Sequence, residues 1–171
     1  ELSGDPNLYF GVFTLLLVIL YIFCRGIPLG VRLLKVGLLA FLLFSTNFRI
    51  LDYIWHGFHF PNSLPARFTF IYAFLALTMA YEVILRLRRL KFWQYFLSFV
   101  LLQALVLWCW LDPDVDLEIY SYIITELLLL LYFIWMCLYK GCPGRRTFFG
   151  GAAMVLIVVE TAGNGIYGLC E

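Results

Sequence analysis

The chain has 171 residues, of which 64% are hydrophobic and 13% are charged, and its mean hydropathy is +0.93. A soluble domain is about 45–50% apolar and about 25% charged, so this composition excludes a soluble fold and predicts an integral membrane protein. A formal net charge of +1 leaves no basic surface for nucleic acid, which is therefore not an expected partner.

Six apolar segments follow one another along the chain, each close to the roughly 20 residues that a helix needs to cross a bilayer. Their apolarity is continuous rather than alternating, which favours helices over barrel strands. We predict an all-α, polytopic transmembrane bundle that forms a single domain over residues 1–171. Its expected spans are about 8–24, 33–47, 66–85, 92–111, 119–138 and 147–167.

The basic residues predict how these spans are oriented. Ten of the twelve lie in the connections after spans one, three and five or, for Lys35, at the start of span two, and those connections contain no Asp or Glu. By the positive-inside rule these connections are cytoplasmic, so both chain ends lie outside the cell. The chain begins Glu1-Leu2-Ser3, without a methionine or a basic leader region, so we expect it to be a fragment of a longer protein.

The connection between spans two and three concentrates the polar chemistry of the sequence. Asp52, His56 and His59 are spaced so that a helix would place all three on one face. Such a face can supply a base, an acid or metal ligands, or it can simply meet water and headgroups. Arg67 would hold a lipid phosphate or anchor span three at the interface. Trp55 would stack on a sugar ring or lie in the aromatic belt.

Three acidic residues lie inside apolar spans, where an ionisable side chain is costly and indicates function by default. Glu82 precedes Arg86 by one helical turn, so we expect these two to form an ion pair. Glu126 and Glu160 each lie about seven residues from the outer end of a span, a depth of roughly 10 Å. Equal depth predicts that both line one outward-facing cavity, with Asn164 one turn beyond Glu160. The alternative is that each glutamate is protonated and bonded to a neighbouring helix.

No Cys or His spacing resembles a zinc site. The acidic run Asp112-Pro113-Asp114-Val115-Asp116 lacks the glycine and distal glutamate of a calcium loop. We therefore predict no metal site and no definite cofactor, although a divalent cation is left open.

One long motif resembles a known family. The run W-H-G-F-x-x-P-N-x-x-P-x-R-F, from Trp55 to Phe68, together with the Leu51–Ile54 segment before it, resembles the YfhO family of bacterial multispanning membrane proteins. Pro6–Gly11 at the start of span one and Ile27-Pro28-Leu29 before span two add to the resemblance, which is carried by residues 6 to 82.

This resemblance implies a fragment of a GT-C-like glycosyltransferase domain in the bacterial cell membrane. Such an enzyme moves a sugar from a polyprenyl-phosphate donor to a cell-envelope polymer, typically lipoteichoic acid, on the outer face. The family's catalytic acid is expected upstream of this chain, so the catalytic residue is unknown, with Asp52 and His56 as candidates. A flippase for lipid-linked sugar and a scaffold for a separate glycosyltransferase are the alternatives. The expected substrate-binding residues are Arg67, Arg49, Trp55, His59, Asn62, Glu126 and Glu160.

Overall fold

The structure is a computed structural model, and it describes residues 9–48, 51, 53–54, 69–112 and 119–170. Over these ranges the chain is helical, with no strand, and the predicted all-α fold is confirmed. Two single 3-10 turns, Leu87–Arg89 and Pro143–Arg145, lie in the connections. The α-helices for which both ends are described are α1 (Val12–Phe23), α2 (Leu29–Asn47), α3 (Thr69–Ile84), α4 (Phe92–Leu111), α5 (Ile119–Gly141) and α6 (Arg146–Cys170).

Three of these helices are long and apolar enough to cross a membrane, namely α4, α5 and the Thr147–Gly165 part of α6. No more than 22% of the residues in each of these spans is buried inside the bundle. Their apolar side chains therefore face outward, which is how a helix in contact with lipid is patterned. The helices α1 and α3 are also apolar but shorter. The described part of the chain therefore fits a helical membrane fragment.

The first helix lies at the centre of the bundle. It packs against α2, α3, α4 and α5, whereas α6 packs on α5 at the edge. Leu16, Leu17, Leu20 and Tyr21 of α1 are at most 1% exposed. A helix that is apolar all round and surrounded on most sides is a core helix, so α1 organises the packing of the others.

Hydrogen bonds between helix ends show which connections lie together. Gln94 Nε2, at the start of α4, donates to the carbonyl oxygen of Phe23 at the end of α1 over 2.5 Å. Lys140 Nζ, at the end of α5, donates to the carbonyl oxygen of Leu90, just before α4. The α1–α2, α3–α4 and α5–α6 connections thus share one end of the bundle. We call it the basic end, because most of the basic residues lie in these connections.

The expectation that Glu82 and Arg86 form an ion pair was wrong. The Glu82 carboxylate pairs instead with Lys35 Nζ of α2 over 2.5 Å, and both side chains are largely shielded from solvent. Arg86 lies beyond the last residue of α3, and its Nη1 donates to the backbone oxygen of Glu82 over 2.8 Å. Its side chain satisfies a carbonyl that the helix end leaves without a partner, so the carboxylate is available to α2.

Candidate functional site

Glu160 of α6 is one of the few buried polar side chains among the described residues, at 6% exposure. Its Oε1 accepts hydrogen bonds from Tyr9 Oη over 2.6 Å and from the Val12 backbone N–H over 2.5 Å. Its Oε2 accepts a hydrogen bond from Tyr132 Oη over 2.5 Å. Three donors converge on one carboxyl group, an arrangement that suits the acceptor-only carboxylate form.

The backbone bond to Glu160 caps the central helix. Val12 is the first residue of α1, and the N–H groups of a first helical turn have no partner within their own helix. A negative charge there also lies at the positive end of the helix dipole. Glycine suits position 11, directly before this helix, because its φ of 91° is strained for other residues. The Glu160 carboxylate from the last described helix therefore completes the start of the first.

Tyr132 is held in place by its ring as well as by its hydroxyl. The ring is fully buried and stacks on Phe13 of α1, with ring centroids 4.7 Å apart. Trp135, one turn along α5, meets Phe13 edge to face, with ring centroids 5.5 Å apart. These aromatic contacts fix the rotamer that aims Tyr132 Oη at Glu160.

A cavity of about 420 Å³ opens beside Glu160, at the end of the bundle opposite the basic end. Its walls come from the start of α1, the start of α5 and the later part of α6. They are mainly apolar, and a small number of polar residues are among them. This composition is typical of small-molecule sites. The polar side chains are Tyr9, Tyr120, Ser121, Thr125, Glu160 and Asn164.

Glu126 lies elsewhere. Its Oε2 accepts a hydrogen bond from Gln103 Nε2 of α4 over 2.7 Å, and it is not among the residues that line this cavity. Ser121 and Thr125 of α5 face the cavity, and Glu126 is about 100° further round the helix. The single cavity expected for Glu126 and Glu160 was therefore wrong: equal depth in the membrane does not imply the same side of a helix.

A family comparison covers nearly all of these elements. The family model described as bacterial membrane protein YfhO matches residues 2–170. The chain belongs to the YfhO family. The match extends well past the motif from which the resemblance was first inferred, and it includes α4, α5, α6 and the cavity beside Glu160. Comparison with curated proteins and with solved structures gives no match.

Most of the predicted site residues of this YfhO-family chain lie outside the residues that the structure describes. Leu51, Tyr53 and Ile54, which are described in the same connection, are helical, as a helix at the start of that motif requires. No group of three or more His, Cys, Asp or Glu that could hold a metal ion occurs in the described ranges. The predicted residues outside those ranges are Arg49, Asp52, Trp55, His56, His59, Asn62 and Arg67.

Two partners of Glu160 in this YfhO-family chain, Tyr9 and Tyr132, were not predicted. A signal was present for Tyr132, because a hydroxyl inside an apolar helix must find an acceptor. The sequence offered several acceptors at that depth, however, and only packing selects among them. Tyr9 is close to the chain start and reads equally well as an interfacial aromatic.

Proposed function

We propose that this chain acts in a bacterial membrane glycosyltransferase that moves a sugar from a polyprenyl-phosphate donor to a cell-envelope polymer such as lipoteichoic acid. Membership of the YfhO family supports a membrane role. The observation that carries the proposal further is the cavity beside Glu160, because it combines apolar walls with clustered hydrogen-bonding groups at the end opposite the basic connections. The positive-inside rule predicts that this end faces the cell exterior.

The chemistry of the cavity suits a lipid-linked sugar. Ser121, Thr125 and Asn164 offer hydroxyl and amide groups that can bond sugar hydroxyls. The apolar walls can accept the first part of a prenyl chain. Glu160 already accepts three internal hydrogen bonds, so its role in the proposal is to hold the cavity wall and orient a hydroxyl. It is not proposed as the base.

The charged steps of transfer are assigned to residues of the motif. Arg67, with Arg49, would hold the lipid phosphate and stabilise the negative charge that develops as the phosphate leaves. Asp52 or His56 would contact the sugar or remove the proton from the acceptor hydroxyl. Glycosidic bond formation then transfers the anomeric carbon from the phosphate oxygen to the acceptor oxygen.

A matched pair of glycines tests whether the cavity is the site of transfer. Gly163 and Gly165 lie two residues apart in α6, and a Cβ added at either meets nothing within 4 Å. Only Gly163 lines the cavity. In cells that carry the complete protein, Gly163→Leu should lower the sugar content of the polymer at least tenfold, whereas Gly165→Leu should leave it unchanged. Equal sugar content in the two variants, at equal protein levels, would remove the cavity from the proposal.

Variants of the motif test the assigned chemistry separately. Arg67→Ala and Asp52→Asn should each reduce sugar on the polymer, because one removes the phosphate partner and the other removes a carboxylate. Normal modification in both would exclude these two residues from the site. Purified protein that moves the donor between leaflets without any acceptor would instead favour the flippase alternative. Activity that requires a second, separate glycosyltransferase would favour the scaffold alternative.

A further inference from the structure

A second cavity lies at the basic end, and no residue of the motif or of the cavity beside Glu160 is among its lining residues. It measures about 130 Å³ and is bounded by the α1–α2 connection and by the connection before α4. Its lining includes no acidic residue. Four cations around one small cavity create a positive potential that an anion would relieve. The basic lining residues are Arg25, Arg86, Arg89 and Lys91.

Hydrogen bonds hold the two walls of this basic cavity together. Gln94 is 3% exposed, and its amide bridges the walls: it donates to the carbonyl oxygen of Phe23 and accepts from the Lys91 backbone N–H over 2.6 Å. Gly26 lies so close to Arg86 that a Cβ there would be 3.2 Å from Arg86 Cδ. The first N–H groups of α4 add the positive end of a helix dipole. The relative positions of the two walls, and of Arg86 beside Gly26, therefore follow from packing.

An apolar groove of about 680 Å³ leads away from the basic cavity, and Arg86 lines both. The groove runs between α2 and α3, and most of its walls are exposed apolar side chains. Along α3 it extends from Phe74 to Glu82, which is about 12 Å at 1.5 Å per residue. Glu82 is the acidic residue in its lining, and the charge of that carboxylate is paired with Lys35.

We propose that the basic cavity and this groove together bind one anionic phospholipid. Its phosphate group occupies the basic cavity, and one acyl chain lies in the groove along α3. Arginine suits the headgroup because its planar fork of donors pairs with two phosphate oxygens. Basic pockets between transmembrane helices are typical sites for anionic headgroups. A free phosphate ion would match the cavity but would leave the groove unused, which is why the lipid is the occupant favoured.

The test uses the full chain purified in mild detergent and native mass spectrometry of bound lipid during titration with phosphatidylglycerol. Phosphatidylcholine and inorganic phosphate form the parallel arms. Arg25→Gln with Arg89→Gln removes one exposed cation from each wall, and each loss should weaken phosphatidylglycerol binding about fivefold, or roughly 25-fold together. The control Arg145→Gln removes an exposed cation from the same end but outside the cavity, and should change binding less than twofold.

A single Arg89→Gln variant, with an expected loss of about fivefold, guards against a double variant that fails to fold. Leu77→Asn places a polar group in the groove and should weaken phosphatidylglycerol binding without affecting inorganic phosphate. Equal losses in the Arg89 and Arg145 variants, or equal affinity for phosphatidylglycerol and phosphatidylcholine, would overturn the proposal. A third outcome is that Arg89→Gln weakens binding of inorganic phosphate while phosphatidylglycerol binds no better than phosphatidylcholine. That result would overturn the proposal, because the cavity would then bind free phosphate and not a phospholipid.

Discussion

Replacement of Glu160 by glutamine tests whether the carboxylate holds the bundle together. The two side chains have the same shape, so the substitution changes charge and hydrogen bonding without leaving a hole. A glutamine oxygen in the place of Oε1 can still accept from Tyr9 and Val12, but as a neutral acceptor. Its NH₂ group then faces Tyr132 Oη, whose hydrogen loses its acceptor.

The expected cost follows from these three bonds. A hydrogen bond to a charged group contributes about 1.5–3 kcal/mol and a neutral one about 0.5–1.5 kcal/mol, so each of the two retained bonds loses about 1 kcal/mol. The unsatisfied Tyr132 hydroxyl adds about 1 kcal/mol, for a total of roughly 3 kcal/mol. For a chain of this size, that corresponds to a fall in the unfolding midpoint of roughly 6–12 °C.

The assay is thermal unfolding of the purified protein in detergent, followed by tryptophan fluorescence. The matched control is Glu126→Gln, because Glu126 accepts a side-chain hydrogen bond from Gln103 and also lies in an apolar helix. Its midpoint should fall by only about 2–4 °C, for a loss of about 1 kcal/mol. Equal midpoints for the two variants, or an unchanged midpoint for Glu160→Gln, would refute the view that Glu160 joins three helices.

Three further substitutions can be followed by the same unfolding measurement. Lys35→Met should lower the free energy of unfolding by about 1–2 kcal/mol, because it leaves the partly buried Glu82 carboxylate unpaired. Adding Glu82→Leu should restore most of that stability, and a double variant no more stable than Lys35→Met would contradict the pairing. Gly11→Ala should cost about 1–2 kcal/mol because it forces a side chain into positive φ, and an unchanged midpoint would show that the turn relaxes without penalty. Trp135→Phe should cost about 1 kcal/mol by removing the 2.9 Å bond from Nε1 to the Phe149 carbonyl, whereas no loss would mean that water replaces it.

The helical fold could be predicted from the sequence because a bilayer leaves few choices. Continuous apolar runs without alternation can satisfy their backbone only as helices. Helix starts were harder to predict. Helix α2 begins at Leu29, directly after Pro28, although its first turns carry Arg32 and Lys35. Charges there are tolerated because Lys35 finds a partner on α3, and that pairing depends on how the helices pack.

Individual residues of the site could be predicted from the sequence, but the contacts between them could not. Glu160 can be identified from the sequence alone, because an acidic residue inside an apolar helix is energetically costly and indicates a structural or functional role. Its partners Tyr9 and Tyr132 come from the segment before α1 and from α5, and no spacing rule links residues across separate elements. The error over Glu126 has the same origin, since depth can be counted along a sequence but the side of a helix that faces a neighbour cannot.

The capping of α1 by Glu160 has a consequence for biosynthesis. The Val12 N–H and the carboxylate that accepts from it are 148 residues apart. At a translation rate of about 5–20 residues per second, roughly 7–30 s separate the synthesis of the two groups. During that interval the central helix enters the membrane with an open N-terminus, although four neighbours can already pack around it. The docking of α6 is therefore the event that caps α1, and a ribosome that stalls before Glu160 would leave the Val12 N–H without this acceptor.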